Sequence, residues 1–536
     1  MSPDTVGARR WNRGRWALVA LVLLGWALRL PPILDNRFHA DEALYAYWGL
    51  LIGRGQDLWL ATVPVDKPPL MPYLVAGAQA LFGNSEFAVR LPGLAAGLVT
   101  IPLVAALSNV LYDDTWVTAS AAAGVALSPF ATLFSATAFT DPVMVALGLG
   151  TCLAAARGRP GRAGLLAGLA FAAKQTGLVW VPLAAAMNMI RDCRLQIGKL
   201  QIGKSQTYDR QHLASVVHRL LFPLCFLVVV GIAFAWDLAR GAQGAESFWC
   251  AGVTAYGSLR LIWPQELWAR LEDWVELARY LFVSPAVNGI LLAGLPVLVW
   301  RATRHQRHAQ GALTDLLLGS FALMYLLFHW LWAFPVWDRY LLPLAPVLAI
   351  LLGRILALSA SYLQLIATYL AWVIRHSSFV IRRSSQAIGH WSLIIAHCSL
   401  VIFLATPAWN AAHSRYPIGG DHGAYDGIDE VAAFLRNQPE GTVVYQHWLG
   451  WHYAHYVFDA PLYLAYWPSP AWLAQDVQAF GATGARYITF PSWESRARVE
   501  QALDSAGYVL APAFSTTRRD GTRSFTVYQI RPLSNR

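Results

Sequence analysis

Apolar residues in this chain come in long runs separated by short polar segments, rather than at the spacing of a half-buried helix or strand. About 20 residues of helix cross a hydrocarbon core, so each run of that length predicts a membrane span. Such runs fall near Trp16–Leu34, Phe87–Leu111, Trp116–Phe134, Phe139–Ala156, Leu220–Leu238, Tyr280–Trp300, Leu313–Ala333, Tyr340–Leu358 and Trp391–Ala408. The stretch Ala163–Ile190 is too long for one straight span and has a polar midpoint, Lys174-Gln175-Thr176-Gly177. It predicts a broken helical pair that enters and returns, with Lys174 at its tip. The expected fold class is an α-helical polytopic membrane protein of about 9–11 spans.

Beyond Pro407 the pattern changes. Amphipathic helical stretches (Ile428–Asn437, Ala471–Phe480, Ser495–Ala506) alternate with strand-like runs (Thr442–Tyr445, Arg486–Phe490, Phe525–Ile530). This predicts a small C-terminal α/β domain. The expected division is a transmembrane domain over residues 1–408, carrying a long loop at 35–86, followed by an extramembrane domain over 409–536.

Composition agrees with the pattern. Hydrophobic residues make up 56% of the 536 and charged residues only 13%, about half the charged share of a soluble protein. The 24 tryptophans suit aromatic belts at membrane interfaces. A net charge of +10 raises nucleic acid as a partner, but the basic residues sit in short segments between apolar runs. These are Arg9–Arg15, Arg157–Arg162, Arg191–Arg219, Arg301–Arg307 and Arg375–Arg383, the arrangement that marks cytoplasmic loops. The expected partner is therefore the bilayer, with no nucleic acid. The loop at 35–86, the segment 239–279 and the C-terminal domain then face the extracytoplasmic side of a plasma (inner) membrane. The apolar run after Arg15 lacks a small-residue cleavage site and reads as a retained first span. Five dispersed cysteines predict neither a disulfide framework nor a zinc site.

Two repetitive stretches interrupt cytoplasmic loops. One is a tandem LQIGK at 195–204, the other Arg-His-Ser-Ser-Phe-Val-Ile-Arg-Arg-Ser-Ser at 375–385. The duplication creates a formal phosphate-loop match, Gly198-x4-Gly203-Lys204-Ser205. A phosphate loop needs a buried strand before it, and only a polar linker precedes this one.

Candidate chemistry gathers at the predicted extracytoplasmic boundary. His39-Ala40-Asp41-Glu42-Ala43-Leu44-Tyr45 follows the first span, and on a helix Asp41 and Tyr45 share a face. Asp41 as a helix cap is the structural alternative. Asp66-Lys67-Pro68-Pro69 is either a solvated charge pair before a helix or a phosphate contact. Thr140-Asp141-Pro142 opens a span, where a carboxylate is a cap or a functional group. Trp337-Asp338-Arg339-Tyr340 occupies a short turn, with Arg339 an interfacial anchor or an anion ligand. An anionic lipid and a polar acceptor need carboxylates and cations gathered in this way.

In order, these motifs resemble the lipid-linked-sugar glycosyltransferases of the GT-C class, above all bacterial aminoarabinose (lipid A) transferases and protein O-mannosyltransferases. The resemblance runs from about Trp16 to Tyr340. It rests on Asp41-Glu42-x-x-Tyr45, Asp66-Lys67-Pro68-Pro69, Arg90-Leu91-Pro92-Gly93, Thr140-Asp141, Ala173-Lys174 with Gly177, and Arg339-Tyr340-Leu341-Leu342-Pro343. It implies Asp41 as the group activating the acceptor hydroxyl, Lys67 as a donor-phosphate contact and Asp141 as the second acidic residue. Glu42, Tyr45, Asp66, Lys174, Arg339 and Tyr340 would bind substrate. The chain departs where aminoarabinose transferases tend to carry Glu in place of Asp66.

The implied partners are a polyprenyl-phosphate sugar donor and a lipid, glycan or protein acceptor. With no Asp-x-Asp pair to hold a nucleotide's metal, no cofactor is expected, although Asp66 and His39 are a conceivable divalent-metal pair. One carboxylate suffices as base in a single displacement, so inversion is expected. The alternative is a secondary transporter, which predicts mid-span charges and paired half-repeats. Here the carboxylates sit at loop–span boundaries.

Overall fold

The computed structural model describes residues 3–201, 208–256, 260–304, 311–374 and 378–533. The chain divides into two units. The first comprises Met1–Pro32, Asp57–Tyr73 and Arg90–Gly419, the second Ile33–Gln56, Leu74–Val89 and Gly420–Arg536.

Among the described residues seven helices are long and apolar enough to cross a membrane: Gly14–Asp35, Glu86–Tyr112, Leu220–Gly241, Pro285–Thr303, Ala312–Leu331, Leu344–Ile366 and Trp391–Ala412. Thr115–Leu127 and Pro129–Ser135 form an eighth, bent by 54°. Leu70–Phe82 and Thr140–Ala156 are shorter apolar helices. The chain is thus an α-helical, multi-pass membrane protein, as its apolar runs predict. The helices at Pro285 and Leu344 begin later than their runs do, because 3₁₀ turns at Arg279–Leu281 and Asp338–Leu341 come first.

The bend has a chemical cause. Pro129 has no N–H, so the carbonyl of Val125 loses its helical partner. The buried Arg29 supplies the donors instead, with Nη atoms 3.5 Å from Val125 O, 3.3 Å from Ala126 O and 2.9 Å from Gly25 O. Ser128 caps the second half by accepting from Ala131 N at 3.2 Å, and its hydroxyl donates to Leu281 O at 2.7 Å.

The break predicted within Ala163–Ile190 is present. Helix Pro160–Ala173 stops at Lys174, whose backbone is extended (φ −158°, ψ 138°). A 3₁₀ turn at Gln175–Val179 and helix Trp180–Gln201 follow. The turn folds back so closely that a Cβ on Gly177 would lie 2.4 Å from the carbonyl of Ala170. Small residues also set the distance to the next helix. A Cβ on Gly164 would meet Phe222 O at 2.1 Å, and one on Gly168 would meet Val229 Cβ at 2.6 Å. Such residues let backbones approach where lipid offers no hydrophobic drive for association.

The start of the phosphate-loop look-alike, up to Gln201, continues helix Trp180–Gln201 and follows no strand. Its remainder lies outside the described residues, as does the beginning of the basic stretch at 375–385.

The second unit is built on a five-stranded sheet of β1 (Val443–Gln446), β2 (Tyr463–Tyr466), β3 (Arg486–Pro491), β4 (Tyr508–Thr517) and β5 (Arg523–Pro532), in the order β2-β1-β3-β5-β4. β1 is parallel to β2 and β3, whereas β5 is antiparallel to β3 and β4. Alternation of side chains separates two cores. Ile428, Leu435, Val444, Phe525 and Val527 pack on one face, and Leu473, Val477, Ile488, Leu503 and Ile530 on the other.

Helices Ile428–Arg436, Pro470–Phe480 and Ala497–Ser505 match the amphipathic stretches. A further helix, Gly450–Tyr456, packs on Ala40–Gly53 of the same unit. There Tyr47 lies 6.3 Å from the ring of Trp451, and His452 Nε2 donates to Phe38 O at 2.9 Å.

Candidate active site

In the second unit, residues 39–45 open the helix Ala40–Gly53. His39 is its N-cap: its Nδ1 accepts from Asp41 N at 3.2 Å, and Glu42 accepts from His39 N at 3.0 Å. This reciprocal arrangement satisfies the first free amides of the helix. Capping is therefore the work of His39 and the fully buried Glu42, while Asp41 is the half-buried second residue of the helix. Tyr45 is buried, with its ring 5.2 Å from that of Trp48.

The remaining candidates belong to the first unit. Asp141 does not cap its helix, whose N-cap, Phe139, has no side-chain bond. Its carboxylate instead accepts from Lys174 Nζ at 2.7 Å, with both side chains only 2% exposed. Lys174 makes this contact from the end of its helix, where the backbone turns extended. Lys174 Nζ also stands 4.7 Å from the ring centroid of Tyr340. Tyr340 is held by its carbonyl, which accepts from Tyr325 OH at 2.6 Å.

The turn at Asp338–Leu341 is tied by Asp338, whose two carboxylate oxygens accept from Arg339 N at 2.7 Å and Gly419 N at 2.8 Å. The Arg339 guanidinium packs over the rings of Trp337 and Phe139, 4.4 and 5.2 Å away.

Lys67 is buried and meets both the carboxylate of Asp66 and the hydroxyl of Tyr256. Tyr256 follows the helix Phe248–Ala255 and stands edge-on to Trp337, with centroids 5.6 Å apart. Gln175 Nε2 donates to Asp66 O at 2.7 Å, which joins the Lys174 turn to the Lys67 segment. Within the first unit, the structure thus links Asp66, Lys67, Asp141, Lys174, Arg339 and Tyr340 through direct contacts or shared neighbours.

Sequence reasoning missed Tyr256 and the contact role of Gln175. Tyr256 lies 189 positions from Lys67 and belongs to no motif. A cavity of about 270 Å³ adjoins the group, lined mostly by apolar side chains and reached by Lys174, Tyr256 and Tyr340. Among the described residues, no three His, Cys, Asp or Glu side chains converge as a metal-ligand set.

The multi-helix membrane body has the fold of the solved structures of ArnT and of an oligosaccharyltransferase. Within it, residues 66–199 match the family model for dolichyl-phosphate-mannose-protein mannosyltransferase, a stretch that includes Asp66, Lys67, Asp141 and Lys174. The chain is similar to the crystal structure of ArnT from Cupriavidus metallidurans bound to undecaprenyl phosphate. That match has 16% identity and a TM-score of 0.57, covering 95% of this chain and 97% of that one. The apo form of the same protein matches at 15% identity and TM-score 0.57, over 97% and 98%. The Archaeoglobus fulgidus oligosaccharyltransferase, in complex with Zn and sulfate, matches at 14% identity and TM-score 0.50, over 95% and 72%. No curated protein matches by sequence.

Proposed function

We propose that this chain transfers a glycosyl group from a polyprenyl phosphate to a hydroxyl of a lipid, glycan or protein acceptor, with inversion, on the extracytoplasmic face of the membrane. The observation that carries the reading is an apolar cavity reached by Lys174 and by Tyr256 and Tyr340, with Lys67 against Tyr256 and Arg339 preceding Tyr340 in its turn. A polyprenyl phosphate has that same division between an anionic head and a greasy stem. The family model that spans Lys67 and Lys174 is described by a dolichyl-phosphate donor, and the similar ArnT structure holds undecaprenyl phosphate.

In the reaction the acceptor oxygen attacks the anomeric carbon and the bond from that carbon to the phosphate oxygen breaks. Polyprenyl phosphate leaves with the electron pair. The acceptor proton passes to a carboxylate, a step typically worth ~10²–10⁴ in rate. Asp41 is assigned this role on the Asp41-Glu42-x-x-Tyr45 motif and on His39 taking the cap. Lys67 and Lys174 are already engaged by carboxylates, so a donor phosphate takes up their existing contacts rather than meeting bare charges. Their stabilisation is greatest on the departing phosphate. The basic segments between the apolar runs support a site outside the cytoplasm.

The test is a panel of polyprenyl-phosphate sugars with purified protein, scored for released polyprenyl phosphate. Wild type should release it, and Asp41→Asn should lose at least about 10²-fold in rate while melting at the same temperature. Equal release from both would return Asp41 to a structural role and make Asp141 the next base to test.

A further inference from the structure

We infer that Arg240, paired with Asp237, is a positioning residue that sets the Lys67 ammonium against Tyr256 and Asp66; its importance for transfer rests on the function proposed above. Arg240 closes the helix Tyr208–Gly241 and is 1% exposed. Its guanidinium has three assignments at once. Nε donates to Leu60 O at 3.1 Å, and one Nη donates to both Asp237 Oδ1 and Glu246 O at 3.2 Å. The plane lies over the ring of Trp236, 4.9 Å from its centroid.

Leu60 and Glu246 belong to the two segments that flank Lys67. Leu60 lies upstream in the same loop and is held at φ 54°, a left-handed conformation a leucine rarely adopts. Asp57 shapes the turn there, accepting from Ala61 N at 2.9 Å and from Thr62 N and Oγ1 at 2.7 Å. An arginine on the Leu60 carbonyl stabilises this otherwise costly turn.

On the other side, Asp237 organises the start of the helix that ends beside Tyr256. Its carboxylate accepts from Ser247 Oγ at 2.5 Å and Phe248 N at 2.9 Å, and Ser247 Oγ in turn accepts from Trp249 N at 3.2 Å. The same helix passes close to the Lys67 segment, since a Cβ on Gly252 would lie 3.2 Å from Asp66 O. Trp236 adds a third tie, donating to Tyr73 OH at 3.0 Å, which donates to Leu58 O at 2.6 Å. One buried ion pair therefore fixes both walls of the slot that holds Lys67. A planar fork can serve three acceptors in different directions, whereas an ammonium on a flexible stem cannot.

The experiment uses full-length protein in detergent, as wild type, Arg240→Gln, Arg240→Lys, Lys67→Ala and the double variant Arg240→Gln/Lys67→Ala. Arg240→Lys keeps a charge beside Asp237, so it guards against a simple failure to fold. The first readout is acylation of Lys67 by an amine-reactive reagent, followed by mass spectrometry with Lys174 as internal reference. Both Arg240 variants should raise Lys67 labelling several-fold, leaving Lys174 at the wild-type level. Hydrogen exchange should rise over residues 57–67. The second readout is release of polyprenyl phosphate. Arg240→Gln should lower it about 10²-fold, the scale of an ångström-sized misplacement, and should cost little more in the Lys67→Ala background.

Unchanged labelling and exchange would overturn the inference. Raised labelling with fully additive rate losses would also overturn it, leaving Arg240 merely structural. Absence of release by wild type from every donor would count against the proposed function, while the labelling would still decide whether Arg240 positions Lys67.

Discussion

Lys174 and Asp141 form a pair from which water is nearly excluded, so removing one partner strands the other's charge. Breaking such a pair typically costs about 3–5 kcal/mol, whereas replacing both by apolar groups is often neutral. Lys174→Met and Asp141→Leu should each lower the melting temperature in detergent, and the double variant should recover most of the loss. If Lys174 serves the donor phosphate, turnover should stay absent in all three. A double variant as unstable as the singles would show that the stability lies in packing instead. At this scale the sequence was only partly legible. Asp141 at the head of a span was visible as either a cap or a functional group, and its partner Lys174 as the tip of a broken helix. Their contact was not visible, because 33 residues separate them. His39 as a helix cap was also hidden, since Ser, Thr, Asp and Asn are the usual caps and Asp41 looked the better choice.

Glycines separate helix contacts that need close approach from those that do not. Gly164→Ala drives a methyl group into Phe222 O, and overpacking of this kind costs about 1–3 kcal/mol. Gly289→Ala, in helix Pro285–Arg304 with nothing within 4 Å, should be neutral or slightly stabilising. Thermal unfolding of the two variants side by side checks this, and equal effects would refute the close-packed helix pair. Elements were read well where one signal dominated. Long apolar runs gave the spans, Lys174-Gln175-Thr176-Gly177 gave the break, and β-branched or aromatic alternation gave β1, β3 and β5. The bend at Ser128–Pro129 was lost inside one apolar run. β2 escaped notice because it is a mostly exposed edge strand, and β4 because Pro512 sits at an irregularity in its pairing with β5. Tyr453 lies in the core with Val444 and Val457.

In the whole chain, the second unit carries a built-in sensitivity to acid. Burial pushes the imidazole of His452 down to about 4 and that of His455 to about 3, against an ordinary 6.5. An unfolded chain takes up these protons below pH 6.5, and the folded unit does so only near pH 4 at His452 and near pH 3 at His455. The contribution of these groups is thus complete above about 6.5 and falls as the pH drops toward 4, by up to about 1.4 kcal/mol per group for each pH unit. Melting temperatures between pH 7.5 and 4.5 should decline, and His452→Gln/His455→Gln should flatten that decline. A decline of unchanged slope would assign it to other groups.

The same unit recruits residues 33–56 and 74–89 to complete a body otherwise formed by residues 420–536. Phe38 and His452, which touch within it, are 414 positions apart. At ordinary rates of synthesis, on the order of a minute passes between their appearance at the ribosome. Over that interval Phe38 and Tyr47 wait without the rings of His455, Tyr456, Trp451 and Phe458 that later pack on them. A nascent chain halted at residue 419 would already have inserted its apolar helices, yet it would still present an orphaned apolar surface. Such a product is a substrate for proteolytic surveillance, so late nonsense mutations should abolish accumulation of the protein rather than leave a trimmed enzyme.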